Sequence, residues 1–345
     1  MTVNRQWLLA RRPTDKAVRE DFEYRESEIP DASNLAPGHV LIRNQLFLHA
    51  PTMRNWMDPA SNSFYPTVGI GNPMLATSAG VIVKSNNPRF AEGQRVTAIT
   101  AWEDYTILNA DVWPVRPVAD ELSLVEAQGP VGMNALTAYM GVTQVGRPKA
   151  GDLAVVSGAA GSTGSVAGQI LKILGCRTIG IAGSQDKCDR LVSELGFDVA
   201  INYKTQDVEK TLREIAPEGV NFFFDNVGGD MLQAVVENIA KFATIVLCGQ
   251  IAGYNDGVPV PGPRNMMRLI YGSVRAEGFL LGDFEEQIPE GTRQILEWIR
   301  SGKMVHREDI RSGFDGLPDT FSDLFTGSND GTLMVVTDEE ARTRP

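Results

Sequence analysis

Residues Val155–Gly168 read VVSGAAGSTGSVAG, and this stretch decides which fold the sequence predicts. The apolar run that ends at Val156 is typical of a buried parallel strand, and the apolar residues from Val166 onward recur at helical spacing. Between them, Ala159–Gly164 matches the G-x-G-x-x-G dinucleotide fingerprint, with alanine at its first position. Small residues let the backbone approach a pyrophosphate, and the helix N-terminus offers it free N–H groups. A glycine-rich turn of another α/β protein is the alternative, but the strand–turn–helix order favours a dinucleotide.

The segment after this turn indicates which dinucleotide is bound. The next predicted strand, Thr178–Ala182, is followed by Gly183 and Ser184, where an NAD enzyme commonly has Asp or Glu to hold the ribose hydroxyls. A carboxylate there would repel a ribose 2′-phosphate, so its absence favours NADP(H). Lys187 and Arg190 could supply positive charge, with Ser184 as a hydrogen-bond donor. Two aspartates alternate with these cations, so an ordinary solvated helix start is the alternative.

Length and composition are those of a globular protein with room for two domains. The chain has 345 residues, of which 43% are hydrophobic and 22% charged. Its net charge of −11 argues against nucleic acid or an anionic membrane as the main partner. No apolar run approaches the roughly 20 residues needed to span a bilayer, and Trp7–Ala10 is too short for the apolar part of a signal peptide. The expected location is therefore the cytoplasm.

Cysteine and histidine are scarce, which bears on metal binding. The chain has three of each, and neither C-x-x-C nor H-E-x-x-H occurs. An odd number of cysteines without such spacing predicts free thiols in a reducing compartment. Zinc needs three or four converging ligands, so no metal site is predicted. The residues concerned are Cys176, Cys188, Cys248, His39, His49 and His306.

The residue pattern changes near Val125, which divides the chain into two predicted domains. Residues 1–125 contain short β-like runs separated by turn signals, which predicts an antiparallel, barrel-like domain. Residues 126–301 alternate strands and helices, which predicts an α/β fold with a doubly wound parallel sheet. The tail, 302–345, contains a predicted strand, Thr332–Val336, that returns to the first domain. Ligands are expected at the carboxyl ends of the parallel strands and between the domains.

Individual elements of the second domain follow from the same alternation. The predicted strands lie near Leu153–Ser157, Thr178–Ala182, Ala200–Asn202, Phe222–Asn226 and Thr244–Leu247. The predicted helices lie near Glu126–Gly141, Ser165–Gly175, Lys187–Leu195, Val208–Ile215, Met231–Lys241 and Pro289–Ser301.

Motifs outside the glycine-rich turn make the sequence more specific. They are Gln6–Pro13, Gly132–Tyr139, Asn202–Lys204, Asp225–Gly229, Cys248–Ile251 with Tyr254–Asn255, and Phe325–Gly331. With the turn, they resemble the zinc-independent medium-chain dehydrogenase/reductase superfamily over nearly the whole chain. Within it the resemblance is to the leukotriene/prostaglandin and alkenal double-bond reductases, including curcumin-reductase-like members. It implies a Rossmann-type NADP-binding domain, a GroES-like β-rich catalytic domain and a homodimer.

The resemblance also implies a reaction. Hydride from NADPH would add to the β-carbon of an α,β-unsaturated ketone or aldehyde, and negative charge would collect on the carbonyl oxygen. In the family, a tyrosine and the nicotinamide ribose hydroxyl donate hydrogen bonds to that oxygen, and the matching residue here is Tyr254. A neutral phenol donates without a charge cost, and a donor placed there stabilises the transition state more than the ground state. The alternative for Tyr254 is a surface loop tyrosine.

Cofactor contacts carry over at the positions that match the family motifs. The pyrophosphate contacts implied are Ala160, Gly161, Ser162, Thr163 and Gly164, and the contacts near the adenosine phosphate are Gly183, Ser184, Lys187 and Tyr203. Asn226, Cys248, Gly249 and Ile251 would lie along the cofactor, Met133 and Thr137 near the nicotinamide, Phe279 and Leu281 at the carboxamide, and Asn329 would reach it from the tail. Core packing or turn formation is the alternative for each.

Substrate contacts are less specific. The aromatic residues would suit a small apolar or aromatic enone, and the departure at Thr52 bears on the substrate range. The candidates are Thr52, Trp56, Tyr65, Trp102 and Tyr271. Thr52 stands where the family has tyrosine, Ala252 replaces a serine, and Thr332 replaces a lysine. Ordinary core packing is the alternative for the aromatic residues. Two other functions stay open: a zinc-free quinone reductase, and an NADPH-binding protein without catalytic activity.

Overall fold

A computed structural model describes residues 3–59, 67–255 and 260–344. The chain forms two compact units. Unit 1 consists of Met1–Gly129, Tyr254–Gly257 and Glu308–Pro345, and unit 2 consists of Pro130–Gly253 and Val258–Arg307.

Strands and helices follow one another in both units. The strands are β1 (Asn4–Leu9), β2 (Phe22–Ser27), β3 (His39–Leu48), β4 (Leu75–Ser85), β5 (Arg95–Ala101), β6 (Tyr105–Asn109), β7 (Val115–Pro117), β8 (Leu153–Val156), β9 (Arg177–Ala182), β10 (Val199–Asn202), β11 (Val220–Asp225), β12 (Ile239–Leu247), β13 (Arg275–Gly278), β14 (Glu308–Ser312) and β15 (Thr332–Val336). The α-helices are α1 (Leu124–Gln128), α2 (Met133–Met140), α3 (Ser162–Ile173), α4 (Gln185–Ser193), α5 (Val208–Ile215), α6 (Gly229–Glu237), α7 (Met266–Gly272), α8 (Ile288–Arg300) and α9 (Leu317–Thr326). Short 3₁₀ turns include Pro51–Met57, Ile251–Gly253 and Leu281–Gln287, and a π-helical turn covers Gly141–Gly146.

Unit 1 is built around the long strand β3. This strand pairs antiparallel with β4 on one side, and on its other side with β6 over His39–Arg43 and with β15 over Leu46–Leu48. The order in this sheet is β14-β15-β3-β4-β5-β7, while β1 and β2 form a separate two-stranded ribbon. An aromatic core that includes Phe47, Trp102 and Phe321 lies against the sheet. The tail strand β15 therefore pairs in the first unit.

Unit 2 contains a parallel sheet with the strand order β10-β9-β8-β11-β12-β13. In this order the direction of winding reverses between β8 and β11, which is where dinucleotides bind in doubly wound folds. Val155, Ile181 and Phe223 are among the side chains that fill the core between sheet and helices. The predicted α/β fold class with a doubly wound parallel sheet is confirmed.

Two local differences from the prediction have physical reasons. The predicted helix Glu126–Gly141 is wrong, because the structure has two helices, α1 and α2, separated by residues 129–132. Gly129 leaves the helical conformation directly before Pro130, and a residue that precedes proline is sterically disfavoured in the α region. Strand β13 is absent from the prediction because its sequence, Arg-Ala-Glu-Gly, is short and carries no alternating apolar pattern.

Candidate functional site

The glycine-rich turn joins β8 to the N-terminus of α3. Gly158 has a positive φ of 57°, and Gly161, which has no side chain to cap the helix, is the N-cap of α3. A Cβ added at Gly164 would lie 2.3 Å from the carbonyl oxygen of Gly158. Only glycine at this position therefore permits the close approach of α3 to the turn. No side chain of the N-cap residue closes this end of α3, and the N-terminus of a helix favours negative charge. Ala160 and Gly161–Thr163 lie around this N-terminus and are partly exposed.

Helix α2 lies against α3 and brings in a residue that the sequence prediction missed. The side-chain amide of Asn134 donates to Oγ of Ser162, the first residue of α3, at 3.0 Å. Met133 and Thr137 are four residues apart, so they share one face of α2, and both are partly exposed. Asn134 lies in the family motif Gly132–Tyr139, and that motif could have indicated it as a site residue.

Strands β9 and β10 end beside each other at the predicted adenosine-phosphate position. Ser184 is the N-cap of α4, and its Oγ accepts a hydrogen bond from the backbone N–H of Lys187 at 3.3 Å. A Cβ added at Gly183 would lie 3.0 Å from both Cε1 and Oη of Tyr203. The glycine thus leaves room for the tyrosine ring, which is 46% exposed. Four predicted residues come together here.

The loops after β11 and β12 meet at the predicted nicotinamide side. The side-chain amide of Asn226 donates to the carbonyl oxygen of Ser157 at 2.7 Å, so the loop after β11 is bonded to the glycine-rich turn. The N–H of Ile251 donates to the carbonyl of Asn226 at 3.3 Å. Cys248 and Gly249 both donate their N–H groups to the carbonyl of Asp225. Four predicted residues are brought together, and Asp225 joins them without having been predicted as a site residue.

The remaining predicted cofactor contacts are more dispersed. Tyr254 follows the 3₁₀ turn Ile251–Gly253 directly and is partly buried. Phe279 and Leu281 follow β13, at the same edge of the sheet as the other loops of unit 2, and both are partly exposed. Asn329 belongs to unit 1, where its amide donates to the carbonyl of Gly331 at 3.1 Å.

The five predicted substrate residues have different surroundings. Trp56 and Trp102 are 3% and 0% exposed and belong to the aromatic core of unit 1, which favours the alternative of core packing for both. Thr52 lies in the 3₁₀ turn Pro51–Met57 and is partly buried. Tyr271 is 77% exposed on α7. Tyr65 lies outside the described residues. Their role as substrate contacts stays a prediction.

Thiol chemistry is disfavoured at the site. Burial, with a smaller contribution from the charge of Asp225, raises the pKa of the Cys248 thiol to about 12, so the thiol is protonated at neutral pH. Within residues 3–59, 67–255 and 260–344, no group of His, Cys, Asp and Glu is arranged to hold a metal ion. In the same part of the chain, no helix is long and apolar enough to cross a membrane.

The turn, the two adjacent strand ends and the loops after β11 and β12 form a site whose residues fit a phosphorylated dinucleotide. A family model described as the N-terminal domain of oxidoreductase matches residues 5–114, and one described as zinc-binding dehydrogenase matches residues 162–300. The NADPH-dependent curcumin reductase of Escherichia coli (strain K12) is 34% identical over 340 residues, which cover 96% of this chain and 96% of that protein.

Two further relatives are similar over almost the full length. The NADP(+)-dependent 2-alkenal reductase of Nicotiana tabacum is 33% identical over 342 residues, which cover 98% of each chain. Among solved structures, CurA in complex with NADPH from Vibrio vulnificus is 34% identical with a TM-score of 0.88, covering 97% of this chain and 99% of that one.

The chain belongs to the medium-chain dehydrogenase/reductases, in the group that includes the alkenal, curcumin and prostaglandin reductases. The predicted family is confirmed. The predictions of an NADP-dependent oxidoreductase and of NADP(H) as cofactor are confirmed as well.

Proposed function

We propose that the protein reduces the C=C bond of α,β-unsaturated ketones or aldehydes with NADPH, and that Tyr254 polarises the carbonyl oxygen of the substrate. The observation that carries this proposal is the position of Tyr254 in the chain. It comes directly after the 3₁₀ turn Ile251–Gly253, which is hydrogen-bonded to the loop after β11 at the carboxyl edge of the sheet. The names of the relatives, curcumin reductase and 2-alkenal reductase, support the same reaction class.

The residues of unit 2 would hold the cofactor by two kinds of contact. The N-terminus of α3, with Ala160 and Gly161–Gly164, binds the pyrophosphate, and Lys187 with Ser184 and Tyr203 binds the 2′-phosphate. The loops that contain Asn226 and Cys248–Ile251 lie along the nicotinamide half. NADPH, when bound there, supplies the hydride for the β-carbon of the substrate.

Tyr254 has a simple physical role in this scheme. Charge develops on the carbonyl oxygen only as hydride arrives, so a hydrogen bond from the phenol lowers the barrier more than it strengthens substrate binding. The neutral donor needs no metal, and no metal-ligand cluster is found in the described ranges of the chain. Thr52, in the turn Pro51–Met57 of unit 1, is retained as a substrate contact.

The proposal is tested by NADPH oxidation against enals, enones, chalcone-like compounds and quinones, with identification of the products. We expect saturated ketones or aldehydes, with the carbonyl group intact. Turnover of quinones alone would replace the proposal with a quinone reductase. NADPH binding without turnover of any compound in the panel would replace it with a non-catalytic binding protein.

We also propose that two copies of the chain associate through unit 2. Strand β13 is the last strand of the parallel sheet, and all four of its residues are exposed. Helix α7 beside β12 exposes several apolar side chains, with Ile270 at 64% and Tyr271 at 77%. Exposed strand edges and exposed apolar patches are both typical of self-association surfaces.

Light scattering at micromolar concentration tests this association. We expect a mass twice the 37.6 kDa of one chain and a shift toward the monomer in an Ile270→Asp variant. A wild-type protein that is entirely monomeric would refute the dimer. The cytoplasmic location and the domain boundaries stay predictions of the sequence.

A further inference from the structure

A buried carboxylate lies under the loops of the cofactor site and has no part in the reaction proposed above. Asp225 is the last residue of β11, is 1% exposed, and no contact to a basic side chain is found for it among the described residues. A buried carboxylate without a cation is costly unless several hydrogen bonds compensate. We infer that Asp225 is a positioning residue that holds three loops of the cofactor site in register, an inference that rests on the proposed cofactor site.

The carboxylate first binds the two loops on either side of the winding reversal. Its Oδ1 accepts hydrogen bonds from Oγ of Ser157 at 2.8 Å and from the N–H groups of Val227 and Gly228, both at 3.0 Å. Ser157 is the residue that follows β8 and begins the glycine-rich turn. One oxygen atom therefore connects the start of the pyrophosphate turn with the loop after β11.

Ser157 strengthens this connection from its own side. Its Oγ accepts from the N–H of Asn226 at 2.9 Å while it donates to Asp225, and its carbonyl oxygen accepts from the side chain of Asn226 at 2.7 Å. The hydroxyl is thus used as donor and acceptor at once, and the orientation of Asn226 is fixed at two points. Asn226 is one of the proposed cofactor contacts.

The third loop, after β12, is held through the backbone. The carbonyl oxygen of Asp225 accepts the N–H groups of Cys248 at 2.9 Å and of Gly249 at 3.1 Å. The carbonyls of the next two residues, Asn226 and Val227, accept the N–H groups of Ile251 at 3.3 Å and Ala252 at 3.1 Å. The turn that immediately precedes Tyr254 is therefore bonded to the two residues whose own positions depend on Asp225.

These hydrogen bonds explain why an acidic side chain is present at position 225, where burial makes its charge unfavourable. Three donors converge on Oδ1, and the N–H of Gly228 also lies 3.2 Å from Oδ2. A carboxylate only accepts hydrogen bonds, and bonds to an ionised acceptor are stronger than neutral ones. An asparagine would keep one acceptor oxygen for these donors, whereas an alanine would leave buried N–H groups without a partner.

A carboxylate at the opposite edge of the same sheet provides a matched control. Asp198 precedes β10, and its Oδ2 accepts from the N–H of Thr178 at 2.7 Å and from the Thr178 hydroxyl at 3.3 Å. Like Asp225, it accepts from a backbone N–H and from a hydroxyl. It lies at the amino ends of β9 and β10, away from every loop of the proposed cofactor site.

The test compares Asp225→Ala, Ser157→Ala and Asp198→Ala in the full-length protein. NADPH affinity is measured by fluorescence titration, kcat and KM with an enone, and stability by thermal unfolding. We expect Asp225→Ala and Ser157→Ala to raise the Kd for NADPH about tenfold and to lower kcat at saturating NADPH about tenfold, because small displacements of positioning groups are costly. Asp198→Ala is expected to lower Tm while both constants stay at the wild-type values.

A conservative variant and a binding measurement that needs no substrate complete the test. Asp225→Asn keeps one acceptor oxygen, so its Kd is expected to lie closer to the wild type than that of Asp225→Ala. Folded Asp225→Ala and Ser157→Ala proteins that bind NADPH as tightly and turn over as fast as the wild type would overturn the inference. Because the titration needs no substrate, it decides the role of Asp225 even if no enone is reduced. If Asp225→Ala does not fold, Ser157→Ala and Asp225→Asn carry the test.

Discussion

The two edges of the parallel sheet in unit 2 use the same device with different consequences. At the carboxyl edge, Asp225 accepts hydrogen bonds from a serine hydroxyl and from backbone N–H groups, and at the amino edge Asp198 accepts them from Thr178. Asp225 connects loops that leave different strands, whereas Asp198 secures the start of β9 through Thr178 and the last turn of α3 through Lys172. We therefore expect a role in binding for Asp225 and none for Asp198, because parallel strands send their loops and the N-termini of the following helices to the carboxyl edge.

Electrostatics separates the two carboxylates further. Burial raises the pKa of Asp225 above its usual range, and the hydrogen bonds from Gly228, Val227 and Ser157 lower it by less. Burial also raises the pKa of Asp198, but hydrogen bonds from Lys172 and Thr178 outweigh it and the net pKa is lowered. Ionised Asp198 thus favours the folded state at neutral pH, while charge on Asp225 costs stability. The unfavourable charge of Asp225 therefore lies where this carboxylate joins the loops that follow β8 and β11.

The largest effect expected at the carboxyl edge belongs to Tyr254. Tyr254→Phe should lower kcat for enone reduction by between about tenfold and a hundredfold, because the lost donor acts only in the transition state. The Kd for NADPH should stay nearly unchanged. Titration and steady-state kinetics on a substrate with a rate-limiting chemical step measure both. An unaltered kcat in Tyr254→Phe would show that the hydroxyl takes no part in the mechanism. If only Tyr254→Ala changes the kinetics, by raising KM, the ring of Tyr254 merely closes the pocket.

Two glycines of the pyrophosphate turn should respond differently to the same added methyl group. A Cβ at Gly164 would lie 2.3 Å from the Gly158 carbonyl, whereas a Cβ at Gly161 would lie 3.3 Å from it. Gly164→Ala should therefore displace α3 from the turn and raise the Kd for NADPH more than about tenfold, which corresponds to about 1.4 kcal/mol. Gly161→Ala adds a methyl group at a proposed pyrophosphate contact without displacing α3, so it should raise the Kd by less than Gly164→Ala does. Equal affinities of the two variants would contradict the close approach of α3.

Cofactor preference should depend on a cation at the carboxyl edge and be insensitive to one at the amino edge. The wild type is expected to bind NADPH at least about tenfold more tightly than NADH, a difference that phosphate pairing can supply. Lys187→Ala should remove most of this preference, whereas Lys172→Ala, which loses the partner of Asp198, should retain it. Titration of both cofactors with each variant measures the ratio. Equal affinities of the wild-type protein for NADPH and NADH would refute the assignment of this subsite.

The smallest effect is a pH-dependent contribution of Asp198 to stability. Its folded-state pKa is lowered, so its contribution is fully present above the unfolded pKa of about 4 and is lost as the pH falls further. Asp198→Asn should lower Tm at pH 7. The free energy of unfolding should fall by less than about 1 kcal/mol, because the Asp198 side chain is 32% exposed. The difference from the wild type should shrink as the pH falls below about 4 and then through the lowered folded-state pKa of Asp198. A difference that stays constant from neutral to acidic pH would show that charge is not its cause.

Much of the fold could be predicted from local sequence patterns, because such patterns depend only on residues that are close in the chain. The turn Val156–Gly164 combines an apolar run, glycines and helical spacing within a few residues, and its strand–turn–helix form agrees with the structure. Helix α5 has the predicted bounds, Val208–Ile215. The prediction failed where one proline overrode a helical pattern, at Pro130, and where an exposed edge strand, β13, had no pattern to show.

Chain-distant contacts decided the rest. The sequence by itself determined the family, the NADP(H) cofactor and the residue types of the glycine-rich turn, since these depend on residue identity and short spacing. Only the tertiary structure decided that Trp102 lies in a core, that Gly183 makes room for the ring of Tyr203, and that Asp225 binds Ser157, 68 residues away. The physical reason is that a buried hydrogen bond depends on which strands become neighbours, and the strand order brings β8 beside β11 although two other strands separate them in the chain.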